Sequence, residues 1–76
     1  MEKKLTDALI VFFPYLKDQK FEYSETAKRS RVSTDYANRN YVAVFDHEDK
    51  SLIVGDIQVT HYFNAERVEA LKNIYK

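Results

Sequence analysis

Cysteine is absent from this 76-residue chain, and glycine and proline each occur only once. Without thiols the chain can form no disulfide, no thiolate metal site and no iron–sulfur cluster. A cysteine-free chain suits a reducing compartment, so we expect a cytoplasmic protein. The scarcity of glycine and proline, together with 45% hydrophobic residues, predicts a folded chain rather than a disordered one.

Long apolar runs and an excess of one charge are missing as well. The longest apolar run, residues 8–16, is about half as long as a bilayer requires and contains Pro14, so we expect no membrane partner. Twelve basic residues balance twelve acidic ones, and the chain therefore has no overall field that would draw it to phosphate backbones. A chain of this length predicts a single domain, residues 1–76, with a small core.

The N-terminal segment has apolar residues at helical spacing, which predicts an amphipathic helix over residues 3–19. Its apolar face comprises Leu5, Ala8, Leu9, Phe12 and Leu16. Because proline cannot donate the hydrogen bond that a helix interior requires, we expect a kink at Pro14 or a helix that restarts with Pro14 in its first turn. The alternative is a strand over residues 8–13 followed by a short helix, since β-formers are frequent there.

Two apolar segments in the second half of the chain are typical of paired strands. Residues 41–45 (YVAVF) are apolar on both faces, and residues 51–60 (SLIVGDIQVT) follow after the polar turn DHEDK. This arrangement predicts an antiparallel hairpin. Gly55, inside the second strand, indicates a bulge or the close approach of a neighbouring segment.

The C-terminal residues predict a second helix. Asn64 is its predicted N-cap, and Val68, Leu71 and Tyr75 share one face. Residues 20–23 alternate like the beginning of a first strand. The predicted fold is α+β with the order α-β-β-β-α, a three-stranded antiparallel sheet flanked by an N-terminal and a C-terminal helix.

Basic residues crowd together only in the segment ETAKRSRVSTDYANRN, residues 25–40. As a strand, it places Val32, Thr34 and Tyr36 on one face, turns at ANRN and pairs with residues 41–45. Its Lys and Arg residues then line an exposed sheet edge and keep it from pairing with other chains. Residues 26–41 hold four cations against one carboxylate and residues 40–60 the reverse, so we expect two oppositely charged poles.

The same segment is also compatible with two short helices. Ser24 would cap the first, Val32 and Ser33 would form the turn, and Ala27 and Ala37 would pack inward. In these features the segment resembles the helix-turn-helix pattern of bacterial repressors.

The resemblance implies an alternative fold, a helix-turn-helix with residues 41–60 as a β-hairpin wing. It also implies roles for the polar side chains. Tyr36, Asn38 and Arg39 would point toward the groove, where Arg bonds guanine and Asn bonds adenine. Lys28 and Arg29 would neutralise phosphates.

Patterns for catalysis and metal binding are sparse. His47 and His61 are the only histidines and so the only candidates for general acid–base catalysis near neutral pH. His47 lies in the acidic turn DHEDK, which lacks the ligand spacing and the glycine of a calcium loop, so we interpret it as solvated. His61 precedes two aromatic residues and is expected to pack or hydrogen-bond there. We expect no enzymatic activity, no cofactor and no metal site.

Six tyrosines and five phenylalanines are a large supply for so small a core, so several rings should remain partly exposed. Tyrosine and arginine are enriched at binding hot spots. Tyr23, Tyr36, Tyr41 and Tyr62 are therefore candidate anchors for a protein partner.

These observations predict a small non-enzymatic binding module that docks on a macromolecule, preferably a protein. By analogy, compact proteins of this type serve as inhibitors, adaptors or regulatory subunits, including in phages and mobile elements. The alternative is a nucleic-acid-binding regulator acting through residues 28–39, and a homodimer is compatible with either. The predicted contact residues are Lys28, Arg29, Arg31, Tyr36, Asn38 and Arg39.

Overall fold

The computed structural model describes residues 2–56 and 58–72, with side chains as far as residue 68. Its elements in chain order are helix α1 (Glu2–Phe12), a 3-10 turn (Pro14–Leu16), strands β1 (Glu22–Glu25), β2 (Arg29–Tyr36), β3 (Arg39–Asp46), β4 (Ser51–Gly55) and β5 (Thr60–Phe63), and helix α2 (Ala65–Lys72). Within the described residues, the strands form one antiparallel sheet in which each strand pairs with its neighbours in sequence. The predicted three-stranded sheet flanked by two helices is wrong, because the part of the chain that the structure describes has five strands in its sheet and only eight residues in α2.

The core lies between α1 and one face of the sheet, which we call the covered face. Successive side chains of a strand point to opposite faces, so β2, β3 and β4 each send every second residue toward α1. At the centre Val32 pairs with Ala43 and Ala43 with Val54, and these small side chains let α1 lie close to the strands. The buried apolar residues are Leu5, Ala8, Leu9, Leu16, Val32, Tyr41, Ala43, Leu52, Val54, Phe63 and Val68.

Pro14 interrupts α1, as expected, but the predicted helix over residues 3–19 is too long, because only a 3-10 turn of three residues continues from Pro14. The helix stops at Phe12, Phe13 takes an extended backbone conformation (φ −133°, ψ 78°), and Pro14 begins the 3-10 turn. A residue before proline is disfavoured in the helical region, which explains why Phe13 leaves the helix. Of the predicted apolar face, Leu5, Ala8, Leu9 and Leu16 are buried and Phe12 packs against the core. No helix in residues 2–56 and 58–72 is long and apolar enough to cross a membrane.

The basic segment forms strands, so the helix-turn-helix alternative is wrong. Residues 29–36 pair along their whole length with residues 39–46, and Ala37 and Asn38 form the turn. Val32 and Thr34 are buried and Tyr36 lies on the same face, as the strand interpretation predicts. The predicted sheet edge is also wrong, because β1 pairs with the other side of β2 and places β2 in the interior of the sheet.

The predicted strand over residues 51–60 is interrupted at Asp56. The Asp56 carboxylate accepts hydrogen bonds from the backbone N–H groups of Gln58 (2.8 Å) and Val59 (2.7 Å), which closes a tight loop between β4 and β5. The Val59 carbonyl oxygen occupies the position that a Cβ at Gly55 would take. This confirms the prediction of a close approach at Gly55. Ile57, which the alternating pattern would place on the same strand face as Val59, lies outside the described residues.

The N-cap of α2 is confirmed. The Asn64 side-chain oxygen accepts a 2.9 Å hydrogen bond from the Arg67 backbone N–H, which satisfies one of the free donors of the first turn. Val68 is buried against the sheet, as predicted. The side chain of Leu71 and all of Tyr75, predicted for the same face, lie outside the described residues.

Candidate functional site

The six predicted contact residues do not form one surface. Lys28 and Arg29 lie where β2 begins, whereas Tyr36, Asn38 and Arg39 lie about 25 Å away at the other end of the β2–β3 hairpin. Arg31 lies on the face of the sheet opposite α1, because it shares a row with Val44. The hairpin end is thus the only place where more than two of the six come together.

The predicted charge poles are partly cancelled by ion pairs. The Arg29 guanidinium lies 3.4 Å from the Asp46 carboxylate, and the Arg39 guanidinium lies 3.4 Å from the Asp56 carboxylate. Strand pairing places the acidic second half of the chain beside the basic segment, so opposite charges meet at both ends of β2. Two of the four cations in residues 26–41 are paired in this way.

Four aromatic rings gather at the hairpin end of the covered face. We call Phe13, Tyr15, Tyr36 and Tyr41 the tyrosine cluster. The ring centroids of Tyr15 and Tyr36 are 5.1 Å apart, and those of Phe13 and Tyr41 are 4.9 Å apart. The Tyr15 ring also meets Tyr41 edge-on at 5.8 Å. Such tilted and edge-on contacts are favoured geometries for aromatic pairs.

Local backbone chemistry brings these rings together. Pro14 breaks the helix and turns the chain, which sets Tyr15 above the end of the sheet. The two-residue turn after Tyr36 has positive φ at Ala37 (51°) and Asn38 (65°), as in a type I′ hairpin. Alanine is unusual at such a position, since a left-handed backbone costs about 1–2 kcal/mol outside glycine. The turn places Tyr36 beside Arg39 on the same face.

The Arg39–Asp56 pair borders the tyrosine cluster. Asp56 is buried, and its carboxylate is held by the N–H groups of Val59 and Gln58 and by the Arg39 guanidinium. The backbone hydrogen bonds from Val59 and Gln58, assisted by Arg39, lower the pKa of Asp56 below its usual range. Arg39 remains about half exposed, so most of its five N–H donors stay available at the surface.

The hydroxyl of Tyr15 is fixed by the rest of the cluster. It donates a 2.8 Å hydrogen bond to the Tyr41 hydroxyl, and this bond, with desolvation and the nearby Asp56 carboxylate, raises the pKa of Tyr15 to about 12. The hydroxyl therefore stays protonated at neutral pH. The cluster can stack with apolar groups and exchange hydrogen bonds, while proton transfer by Tyr15 is disfavoured.

A second polar group lies at the opposite end of the covered face and involves His47. Its Nε2 is 2.7 Å from the Ser30 hydroxyl, which also bonds the Glu25 carboxylate at 3.1 Å. The Tyr23 hydroxyl donates to the same carboxylate at 2.7 Å. The interpretation of His47 as simply solvated is therefore wrong. Ser30 is fully buried, so its hydroxyl is inaccessible to a substrate, and the network ties β1, β2 and the β3–β4 turn together.

His61, in contrast, behaves as the sequence predicts. Its ring stacks on Phe12 at a centroid distance of 5.2 Å and an interplanar angle of 17°. This contact joins β5 to the end of α1.

Sequence reasoning missed Tyr15, Phe13 and Asp56 as members of the site. The signal for Tyr15 was present, since a residue just after a helix-breaking proline leaves the apolar stripe of the helix. The position of Asp56 beside Arg39 had no local signal, because seventeen residues separate them. Comparison with protein-family models, curated proteins and solved structures finds no match to this chain.

Proposed function

We propose that this chain is a non-enzymatic module that binds another protein through a surface made by Tyr15, Tyr36 and Arg39. One observation carries the proposal. Two tyrosine rings, 49% and 37% exposed, lie 5.1 Å apart beside a half-exposed guanidinium. Tyrosine and arginine dominate the energetics of many protein interfaces, which fits an inhibitor, an adaptor or a regulatory subunit.

The surface is held in place before any partner arrives. Tyr41 is only 3% exposed and anchors the Tyr15 hydroxyl from beneath, while Asp56 orients Arg39 from the neighbouring loop. Side chains that are already ordered lose less conformational entropy on binding. The tyrosine rings therefore offer apolar area at a small entropic cost.

A protein fits this surface better than a nucleic acid does. Arg39, the one cation among residues 35–40, faces Asp56, and Asp35 lies on the same hairpin. Phosphate binding draws on a cluster of unpaired cations, whereas Lys28 and Arg29 lie at the far end of β2. The partner we propose presents an apolar side chain to the tyrosine rings and a carboxylate or carbonyl oxygen to Arg39. A cysteine-free binder of this kind suits the cytoplasm.

The proposal is tested with a phage-displayed peptide library selected on the wild-type chain. We expect selected peptides that carry an apolar residue near an acidic one. Tyr36→Ala and Arg39→Ala should each weaken their binding at least about tenfold, because both truncate hot-spot side chains. Isothermal titration calorimetry measures the dissociation constants.

The chain supplies a matched control for each variant. Arg29→Ala removes the other arginine of an Arg–Asp pair with the same 3.4 Å separation, and Tyr62→Ala removes a more exposed tyrosine ring (60% against 37% for Tyr36) outside the cluster. Neither should change peptide affinity. If wild-type chain instead binds mixed-sequence duplex DNA or RNA in low salt, with affinity falling steeply as salt rises, the nucleic-acid alternative replaces this proposal.

A further inference from the structure

The face of the sheet opposite α1, which we call the open face, carries an apolar stripe. Strand register places Arg31, Val44, Ile53 and Tyr62 in one row across β2 to β5. Val42 lies beside Val44 in the next row on the same strand. Val42 and Val44 are half-buried, Ile53 is 36% exposed and Tyr62 is 60% exposed.

The geometry points to a second copy of this chain as the occupant of the open face. Consider a two-fold axis that lies between β3 and β4 and runs along the strands. It sets β3 of one copy over β4 of the other and β2 over β5. Val44 then meets Ile53 of the second copy, and Arg31 meets Tyr62 of the second copy, each contact occurring twice.

The stripe carries a cation and an aromatic ring that face each other in such a dimer. Arg31 is exposed and forms no salt bridge with any residue in the described ranges. A guanidinium over a tyrosine ring is an attractive cation–π contact, strengthened when water is excluded. The same axis leaves β1 outside the overlap, so the Glu22 carboxylate remains at the solvated rim. Asp46 enters the overlap already paired with Arg29.

The area of the overlap is small for a stable dimer. The strands lie about 4.8 Å apart, and β4 and β5 limit the overlap to five and four residues. The four strands therefore cover roughly 300 Å² per copy. Stable interfaces bury about 800 Å² per partner, so this dimer falls at the weak and reversible end. We expect a monomer in dilute solution and a dimer at high concentration, with the tyrosine cluster free in both states.

Sedimentation of the full chain over a concentration series up to about 1 mM tests the inference. The average mass should rise from monomer toward dimer. Ile53→Lys places a charge at the centre of the stripe and should raise the dissociation constant more than about tenfold. Val11→Lys introduces the same charge at an exposed apolar position on α1, outside the stripe, and should leave the dimer intact.

The Arg31–Tyr62 contact has its own test. Arg31→Ala and Tyr62→Leu should each weaken the dimer, whereas Tyr62→Phe should preserve it, because phenylalanine keeps the ring that attracts the cation. The amide chemical shifts of the wild-type chain on dilution give a measurement that needs no variant. They should change in β2 to β5, at residues whose side chains lie on the open face.

A constant monomer mass over the whole range overturns the inference. So does a dimer that Ile53→Lys leaves intact, or one that Tyr36→Ala abolishes. The last result would assign self-association to the tyrosine cluster, whereas failure of peptide binding alone would leave the open-face dimer standing.

Discussion

The Tyr15 hydroxyl donates a 2.8 Å hydrogen bond to the Tyr41 hydroxyl and so joins the turn after α1 to strand β3. Twenty-six residues separate the two tyrosines. The buried ring fixes the exposed one, and the exposed ring packs on Tyr36. This single contact couples the stability of the fold to the shape of the surface that we propose binds a partner.

Removing either hydroxyl of the Tyr15–Tyr41 hydrogen bond should lower the free energy of unfolding by a similar amount. Tyr41→Phe is expected to lower the free energy of unfolding by about 0.5–1.5 kcal/mol, the usual contribution of one hydrogen bond. Tyr15→Phe should also lower it, and the double variant should lose little more than either single one. Urea unfolding measures all three. Strictly additive losses would show that the two hydroxyls act independently.

The same bond predicts a loss of stability in alkali. The pKa of Tyr15 is about 12 in the folded chain, against an ordinary value of 10. A raised pKa means that the folded state holds this proton more tightly than the unfolded state, so stability is complete below pH 10 and declines as the pH rises toward 12. Because lysine side chains ordinarily titrate in this range as well, the informative quantity is the free energy of unfolding of the wild type minus that of Tyr15→Phe. That difference should shrink across the range.

The network around Ser30 predicts a change in carboxylate titration. Hydrogen bonds from Tyr23 and Ser30 lower the pKa of Glu25, so Ser30→Ala should raise that pKa toward its ordinary value. Removing a buried hydroxyl that has three hydrogen-bond partners, Tyr23, Glu25 and His47, should also cost about 1–3 kcal/mol of unfolding free energy.

Carbon-detected NMR titration of Glu25 measures the change in its pKa. Because the pKa of Glu25 is lowered in the folded chain, its carboxylate stabilises the fold above the ordinary carboxyl pKa, and this stabilisation is lost as the pH falls through the folded pKa. The free energy of unfolding of Ser30→Ala should therefore fall less in acid than that of the wild type. Ser24→Ala, on the exposed side of β1, is the control. An unchanged Glu25 pKa in Ser30→Ala would contradict the network.

Gly55→Ala tests the β4–β5 loop. The added Cβ would coincide with the Val59 carbonyl oxygen, a backbone atom that can retreat only if the loop opens. We expect a loss of about 1–3 kcal/mol, comparable with overpacking a core. Thermal unfolding measures the loss of stability. Rapid amide hydrogen exchange at Gln58 and Val59 in the variant would show that the loop has opened, because both N–H groups bond Asp56 in the wild type. A variant as stable as wild type would mean that the loop adapts freely.

Several features of the fold could be predicted because neighbouring residues decide them. The cap at Asn64 needs only a side-chain oxygen and a free amide three residues on. The end of α1 before Pro14 follows from the ring of proline itself. The β2–β3 hairpin is one of two interpretations that the sequence allows, and the alternation of Val32, Thr34 and Tyr36 before a short turn favours it.

The number of strands could not be predicted in the same way. Residues 51–60 have a pattern that suits one continuous strand, and the break depends on the Asp56 carboxylate capturing two amides of the following loop. An aspartate in an alternating segment reads equally well as an outward-facing polar residue. The second half of the segment forms a separate strand, β5, that pairs with β4, and this pairing is evident only in the assembled sheet.

The sequence by itself determined which residues share a strand face, the cap at Asn64 and the break before Pro14, because these depend on backbone geometry and on contacts a few residues apart. Tertiary structure alone decided which face α1 covers, which tyrosines stay exposed, and that Arg39 meets Asp56 instead of standing free. These outcomes depend on packing and charge pairing between residues far apart in the chain. The energies of these contacts are summed over the whole sheet, so no short sequence pattern predicts them.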